Sequence, residues 1–176
     1  GNVQELHRLL TAASVPVATV FCQDRFEKIA ASAGYTVGTN RDFSSGIGEF
    51  CGGTLGLDAV RSAFGRLGNL FGDADISPVL AEADTQEARI IRVCDKYLQR
   101  YDPPSVVIAA GYAYALFAAR TLEQYLDAEI CGICSRNPPE DECQYPTEYV
   151  TDMSSVGKFI ASRDPDLVIG SSFERA

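Results

Sequence analysis

The last third of the chain alternates short apolar runs with helical patterns, and this alternation constrains the fold more than any other feature. Residues 105–110, 128–134 and 166–169 are apolar runs without regular polar alternation. Runs of this kind are typical of strands buried on both faces, as in a parallel sheet. Helical patterns at 112–126 and 155–163 separate them, which is the order of βαβ units. We therefore predict an α/β fold with a Rossmann-like, three-layer domain built on a parallel sheet.

The first part of the chain predicts a smaller α/β lobe. Residues 3–13 place apolar side chains at helical spacing, and the run 15–21 is apolar and β-branched, which predicts a buried parallel strand. A second helix is predicted over 24–33, and a second short strand over 35–37. This order predicts one helix–strand–helix–strand unit.

A glycine-rich stretch follows the lobe and predicts a loop or an inter-domain linker. Residues 38–56 contain six glycines among serines, threonines and asparagine, without the Gly-Lys-Ser/Thr ending of a phosphate-binding loop. Helices are then predicted over 57–69 and 79–101. We place the partial lobe and its linker at 1–56 and the Rossmann-like domain, with its long connecting helices, at 57–176.

Charge and hydropathy argue against several classes of partner. Fifteen basic and 24 acidic residues give a formal charge of −9, and no basic run occurs. We therefore expect no nucleic acid and no membrane as a partner. Six cysteines without a secretory pattern favour reduced thiols, and we expect a cytoplasmic protein.

The carboxyl ends of the predicted strands are the candidate ligand site, because ligands of parallel sheets collect there. Gly111 and Tyr112 follow the first run, and Ser171 and Ser172 follow the last one. We predict that these four residues line one crevice. An alternative stays open, in which the glycines at the strand ends only permit a tight turn into the next element.

Three cysteines are candidate metal ligands. Cys131 and Cys134 form a CxxC pair, with Cys143 nine residues further on, and three thiols this close could hold a metal or an iron–sulfur cluster. Their odd spacing along a strand predicts opposite faces, so the alternative is a buried Cys131 with an exposed Cys134. Cys22, at the end of the first predicted strand, is a separate candidate, with packing as its alternative role.

Five segments carry a more specific pattern. They are AVRSAFGRLGNLFGD at 59–73, EARIIRVCDKYL at 87–98, VVIAAGY at 106–112, LEQYLDAEI at 122–130 and DPDLVIGSS at 164–172. In this order they resemble the middle of a nitrogenase component 1-type oxidoreductase subunit. That superfamily also includes cofactor-assembly scaffolds and dark-operative protochlorophyllide reductase-like enzymes. The resemblance extends over about residues 55–175.

The resemblance implies a role in enclosing a metal cluster, an iron–sulfur cluster or a tetrapyrrole that a separate ATP-dependent iron–sulfur reductase protein reduces. It also implies a homologous component 1 subunit as partner, in a homo- or hetero-oligomer. Glu174, followed by Arg175, resembles the family's acidic–basic pair beside the cofactor. We expect a middle-domain fragment that is inactive in isolation and holds no cofactor by itself. Two alternatives stay open: a non-catalytic cofactor-assembly scaffold of the same superfamily, and a small-ligand binding module.

Overall fold

The chain is a mixed α/β fold that forms two compact units, Gly1–Glu87 and Ala88–Ala176. A computed structural model describes residues 2–21, 23–30, 34–40, 42, 48–139 and 143–170. The helices are α1 (Asn2–Ala12), α2 (Phe26–Ala30), α3 (Leu57–Leu70), α4 (Ser77–Leu98), α5 (Tyr112–Leu126) and α6 (Met153–Arg163), and the strands are β1 (Tyr35–Gly38), β2 (Glu49–Gly53), β3 (Ser105–Ala110), β4 (Glu129–Ser135), β5 (Thr147–Tyr149) and β6 (Leu167–Gly170).

The first unit packs helices against a small parallel sheet of β1 and β2. Apolar side chains of α1, of α3 and of the start of α4 meet in its core, because each helix has one apolar face at 3.6-residue spacing. Phe64 of α3 is fully buried there. The buried members of this core are Leu10, Ala13, Val15, Cys51, Phe64, Leu67 and Val79.

The prediction of a strand over residues 15–21 is wrong. Val15 is buried, but Phe21 is 46% exposed, and no strand forms over 15–20. A turn ends the segment instead: the backbone N–H of Val20 donates to the Asp24 carboxylate, and the Val20 carbonyl accepts the N–H groups of Gln23 and Asp24. These local bonds use the polar groups of Val20 that a strand ladder would need.

The glycine-rich stretch contains a strand that the linker prediction missed. β2 lies parallel to β1, and α3 packs onto it. At Gly52 the backbone has φ = 151°, and a Cβ there would lie 2.9 Å from the Cβ of Ala63. Glycine therefore permits both the backbone conformation and the close approach of α3. The two units divide within α4, after Glu87, rather than at 56/57, because α3 belongs to the first core.

The second unit is built on a four-stranded parallel sheet in the order β5-β4-β3-β6. β3 is its most buried strand, with Val106, Val107 and Ile108 fully buried. Even positions of β3 pack in a cluster with α5, and odd positions pack in a cluster with α6. This is the three-layer, Rossmann-like arrangement that the apolar runs predict.

Asp152 caps the N-terminus of α6. Its carboxylate accepts the hydroxyl of Ser155 at 2.7 Å and the backbone N–H of Ser155 at 2.8 Å, and these bonds lower the pKa of Asp152. In the described part of the chain, no helix combines the length and the apolar character needed to cross a bilayer.

Candidate functional site

The path of the chain through the sheet creates a topological switch point beside β3. From β3 the chain passes through α5 to the neighbouring β4 and then to β5. From β5 it returns through α6 to β6, on the opposite side of β3. Because the chain leaves β3 towards β4 and β5 and then returns to the other side of β3, a topological switch point lies between β3 and β6, and ligands of open α/β sheets bind in crevices at such points.

A cavity of about 450 Å³ lies at this switch point. Ala109 of β3 pairs in register with Gly170 of β6, so Gly111 and Gly170 lie at the same edge of the sheet. We call the cavity the switch-point crevice. Its wall consists of Ile108, Ala109, Ala110, Gly111, Tyr114, Phe117, Ala118, Arg136, Ile169 and Gly170.

The crevice exists because its wall is made of small residues where the strands end. Ala109, Ala110 and Gly111 carry little or no side chain at the end of β3, and Gly170 does the same at the end of β6. Gly111 is also the N-cap of α5, with φ = −58°, a conformation open to any residue. The space it leaves, rather than its backbone freedom, is therefore what a larger residue would remove.

The aromatic wall comes from Tyr114 and Phe117, and the predicted Tyr112 is not part of it. Tyr112 is 6% exposed and shares the inward face of α5 with Ala115 and Ala119. Residues three and seven positions apart lie on one face of a helix, and that face packs on the sheet. Tyr114 and Phe117 lie three positions apart on another face, which borders the crevice.

Arg136 is the charged residue of the described wall. It follows directly after β4, and its backbone N–H donates to the Ala110 carbonyl at 3.2 Å, which ties the end of β4 to the end of β3. Its guanidinium nitrogen lies 3.9 Å from the Sδ of Met153. Guanidinium groups bind carboxylates and phosphates with two parallel hydrogen bonds. The crevice is therefore apolar with one cation at its edge.

Of the site residues predicted from the sequence, one lines the crevice, one lies in the core beside it, and the others lie outside the described residues. Gly111 lines the crevice, and Tyr112 lies beside it in the core. Ser171, Ser172, Glu174 and Cys22 lie outside the described residues, so their assignments stay predictions. Among the wall residues that lie outside the strands, sequence reasoning missed four. Tyr114, Phe117 and Ala118 recur at the spacing of one helix face, and this spacing is the sequence signal that could have identified them. The corresponding signal for Arg136 is its position directly after a strand.

The expectation that Cys131 and Cys134 lie on opposite faces is wrong. The register between β3 and β4 shifts at Cys131: Val106 pairs with Ile130, and Val107 pairs with Gly132. The extra residue in β4 changes the alternation of its side chains. Both cysteines consequently pack against the cluster on the α6 side of the sheet.

The sequence predicts that Cys131 is the more buried of the two thiols, and the structure shows the reverse. Cys134 is buried, at 2% exposure, and Cys131 is half-buried. Burial, followed by the nearby Glu148 carboxylate, raises the pKa of Cys134 to about 11. Because metals bind thiolates, a thiol held in its neutral form is a weaker ligand at neutral pH. No group of three or more candidate metal ligands forms among the described residues. Metal binding through Cys22, Cys131 and Cys134 stays a prediction.

Comparison with known proteins gives no match: no protein-family model, no curated protein and no solved structure is significantly similar to the chain.

Proposed function

We propose that the chain is part of an oxidoreductase subunit of the nitrogenase component 1 type, and that the switch-point crevice helps to enclose the group that this subunit reduces. One observation carries the proposal. Residues 106–112 and 164–172 are two of the segments that resemble this family, and they contain the paired strands β3 and β6. The ends of these strands, Gly111 and Gly170, line the same crevice.

The chemistry of the wall decides which group fits. Iron in clusters is held mainly by thiolates or imidazoles, and the described wall contains no thiol, imidazole or carboxylate. This part of the wall therefore does not fit the ligation of a metal cluster. An apolar macrocycle fits it better, with a ring face against Phe117 and Tyr114 and a peripheral carboxylate at Arg136. We therefore propose a tetrapyrrole carboxylate as the substrate.

The chain's own role in this proposal is to bind and orient. The small residues at the ends of β3 and β6 leave room for the ring, and Arg136 fixes one edge of it by its carboxylate. Electrons arrive from a separate ATP-dependent iron–sulfur reductase protein, and a homologous component 1 subunit completes the enclosure. A cytoplasmic location, in which the cysteines remain thiols, belongs to the same proposal.

A small-ligand binding module is the second candidate function. Every described wall residue lies between Ile108 and Gly170, so the crevice is formed inside one unit. A ligand could be bound there without a partner subunit. The scaffold alternative needs cluster ligands, which the described wall does not supply, and it ranks below this candidate.

Titration of the purified chain with a dicarboxylic tetrapyrrole, followed by absorbance, tests the proposal. The chain forms only part of the enclosure and is expected to retain no bound group on its own, so we expect added tetrapyrrole to bind weakly, saturably and one-to-one, with a Kd on the order of 10 μM. Ala118→Trp fills the crevice and weakens binding at least about tenfold. Ala161→Trp, on the exposed side of α6, is the matched control and leaves binding unchanged.

Arg136→Gln separates the role of the cation from that of the apolar wall. We expect this substitution to weaken the binding of the dicarboxylate and to leave the binding of its dimethyl ester unchanged. Tetrapyrrole binding that ignores Ala118→Trp would contradict the proposal. If small apolar acids bind in an Ala118-dependent way and the tetrapyrrole does not, the binding-module candidate is favoured.

A further inference from the structure

Ser135, the last residue of β4, is a polar residue that is fully buried. In the described part of the chain, the other buried polar residue is Asn40, which belongs to the first unit. Ser135 pairs in register with Ala110 of β3 on one side and with Tyr149 of β5 on the other. A buried hydroxyl costs free energy unless its hydrogen bonds are satisfied. The burial of apolar area therefore does not explain a serine at this position.

The hydroxyl of Ser135 bonds to the main chain on the far side of Arg136. Its Oγ donates to the carbonyl of Asn137 at 2.5 Å and accepts the backbone N–H of Asn137 at 3.2 Å. A serine that bonds the main chain two residues further on closes a small turn. Pro138 and Pro139 follow, and since neither has a backbone N–H, they cannot continue the ladder of β4. Arg136 is therefore enclosed in a turn that the Ser135 side chain holds together.

The turn is attached to the sheet on both sides of β4. The backbone N–H of Arg136 donates to the carbonyl of Ala110 at 3.2 Å, and the carbonyl of Ser135 accepts the N–H of Val150 at 2.9 Å. Arg136 itself lines the switch-point crevice. A guanidinium binds a carboxylate through two parallel hydrogen bonds, which require a defined geometry. Because the guanidinium lies at the end of a long side chain, the backbone of Arg136 determines which positions it can reach.

We propose that Ser135 is a positioning residue for Arg136, and that its hydroxyl gives the switch-point crevice a preference for a carboxylate over a neutral group of the same shape. The inference rests on the proposed function in so far as the crevice binds a carboxylate. Without the hydroxyl, the N–H and carbonyl of Asn137 lose their partner, and the turn loosens. The guanidinium then samples more positions, so the bond to the carboxylate weakens while the apolar contacts of the ring remain.

Titration with the dicarboxylic tetrapyrrole and with its dimethyl ester provides the first test, and the ratio of the two Kd values measures the preference for the carboxylate. We expect Ser135→Ala to lower this preference at least about fivefold, with little change in the Kd of the ester. Ser135→Thr keeps the hydroxyl and should keep the preference. Val156→Ala is the matched control, because it truncates a buried side chain of the same unit and leaves the turn intact.

The order parameter of the Arg136 backbone N–H, from ¹⁵N relaxation of the chain without ligand, provides the second test. We expect about 0.85 in the unchanged protein and in Val156→Ala, and less than about 0.6 in Ser135→Ala. An unchanged order parameter in Ser135→Ala would overturn the proposal, and so would a Kd ratio that Ser135→Ala and Val156→Ala alter equally. If no variant binds either ligand, the proposed function fails, and the order parameter alone decides whether Ser135 positions Arg136.

Discussion

The two units of the chain differ in how their sheets are held. In the second unit, β3 has a neighbour strand on each side and a core cluster on each face. In the first unit, two short strands form the whole sheet among the described residues, and ion pairs of Arg8 and Arg61 join α1 and α3 to α4. The strand that is supported on both sides and on both faces, β3, is also the strand whose end lines the switch-point crevice.

The largest expected effect concerns the bulged strand of the second unit. A Cβ at Gly132 would lie 2.5 Å from Cζ of Phe159, whose ring is buried and has Arg163 stacked over it. We expect Gly132→Ala to lower the free energy of unfolding by about 3 kcal/mol, because the added Cβ would push the Phe159 ring out of its place in the buried cluster on the α6 side of the sheet. Urea denaturation followed by circular dichroism measures the loss.

Gly157 provides the matched control for this change. It lies inside α6, and a Cβ there meets no atom within 4 Å. Gly157→Ala should stabilise the helix by about 0.5 to 1 kcal/mol. Equal effects of the two substitutions would show that the contact between β4 and α6 is not as close as described.

The corresponding change in the first unit is Gly52→Ala. It combines a positive φ with a 2.9 Å approach to the Cβ of Ala63, and we expect a loss of about 2 kcal/mol. Gly65→Ala, on α3 with open space around it, should instead stabilise by about 1 kcal/mol. Thermal denaturation of both variants measures the difference. A neutral Gly52→Ala would mean that α3 does not pack closely on β2.

The buried thiol of the second unit makes stability depend on alkaline pH. Burial raises the pKa of Cys134 from about 9 to about 11, so the unfolded chain ionises first. The folded state is therefore favoured fully below pH 9, and on the order of 2 kcal/mol is lost as the pH rises to about 11. Urea midpoints at pH 8, 10 and 11 measure this loss.

Cys134→Ala should reduce the loss between pH 9 and 11, and a smaller loss remains because burial also raises the pKa of Cys51 and of Cys94. A later decline remains, because burial and the bond to Glu123 raise the pKa of Tyr145 to about 12. Parallel pH profiles of the variant and the unchanged protein would contradict the buried position of Cys134.

The smallest expected effect concerns the ion pairs of the first unit. Arg61 binds Asp84 at 2.9 Å and Glu87 at 2.5 Å, in a partly exposed setting. We expect Arg61→Gln to cost at most about 1 kcal/mol. The cost should vanish in about 1 M salt, where the Debye length is short. Arg25→Gln, at an exposed arginine, is the control. A loss that persists in high salt would assign Arg61 a packing role.

The sequence predicts the second unit better than the first for a physical reason. A strand buried on both faces needs only apolar residues, so β3 can be recognised from composition within a few residues. The strand β2 depends on its partner β1 and on the close approach of Ala63, and neither is visible in the run Glu49–Gly53. The missed bulge at Cys131 depends likewise on how β4 aligns with β3.

The candidate site is predicted in part. A rule about strand ends locates Gly111, because it needs only the position of a strand and the direction of the sheet. It does not tell which side of α5 faces the crevice, and it therefore selects Tyr112 in place of Tyr114. Arg136 follows β4 and reaches the crevice only because β4 lies next to β3. Such residues follow from the strand order, which local sequence does not contain.

A crystal structure of the chain with an added dicarboxylic tetrapyrrole shows whether the switch-point crevice binds the ring. We expect the ring between the ends of β3 and β6, in contact with Phe117 and Tyr114, and a carboxylate within hydrogen-bond distance of Arg136. A ring bound elsewhere, or a crevice between Gly111 and Gly170 filled by the chain's own side chains, would contradict the proposal.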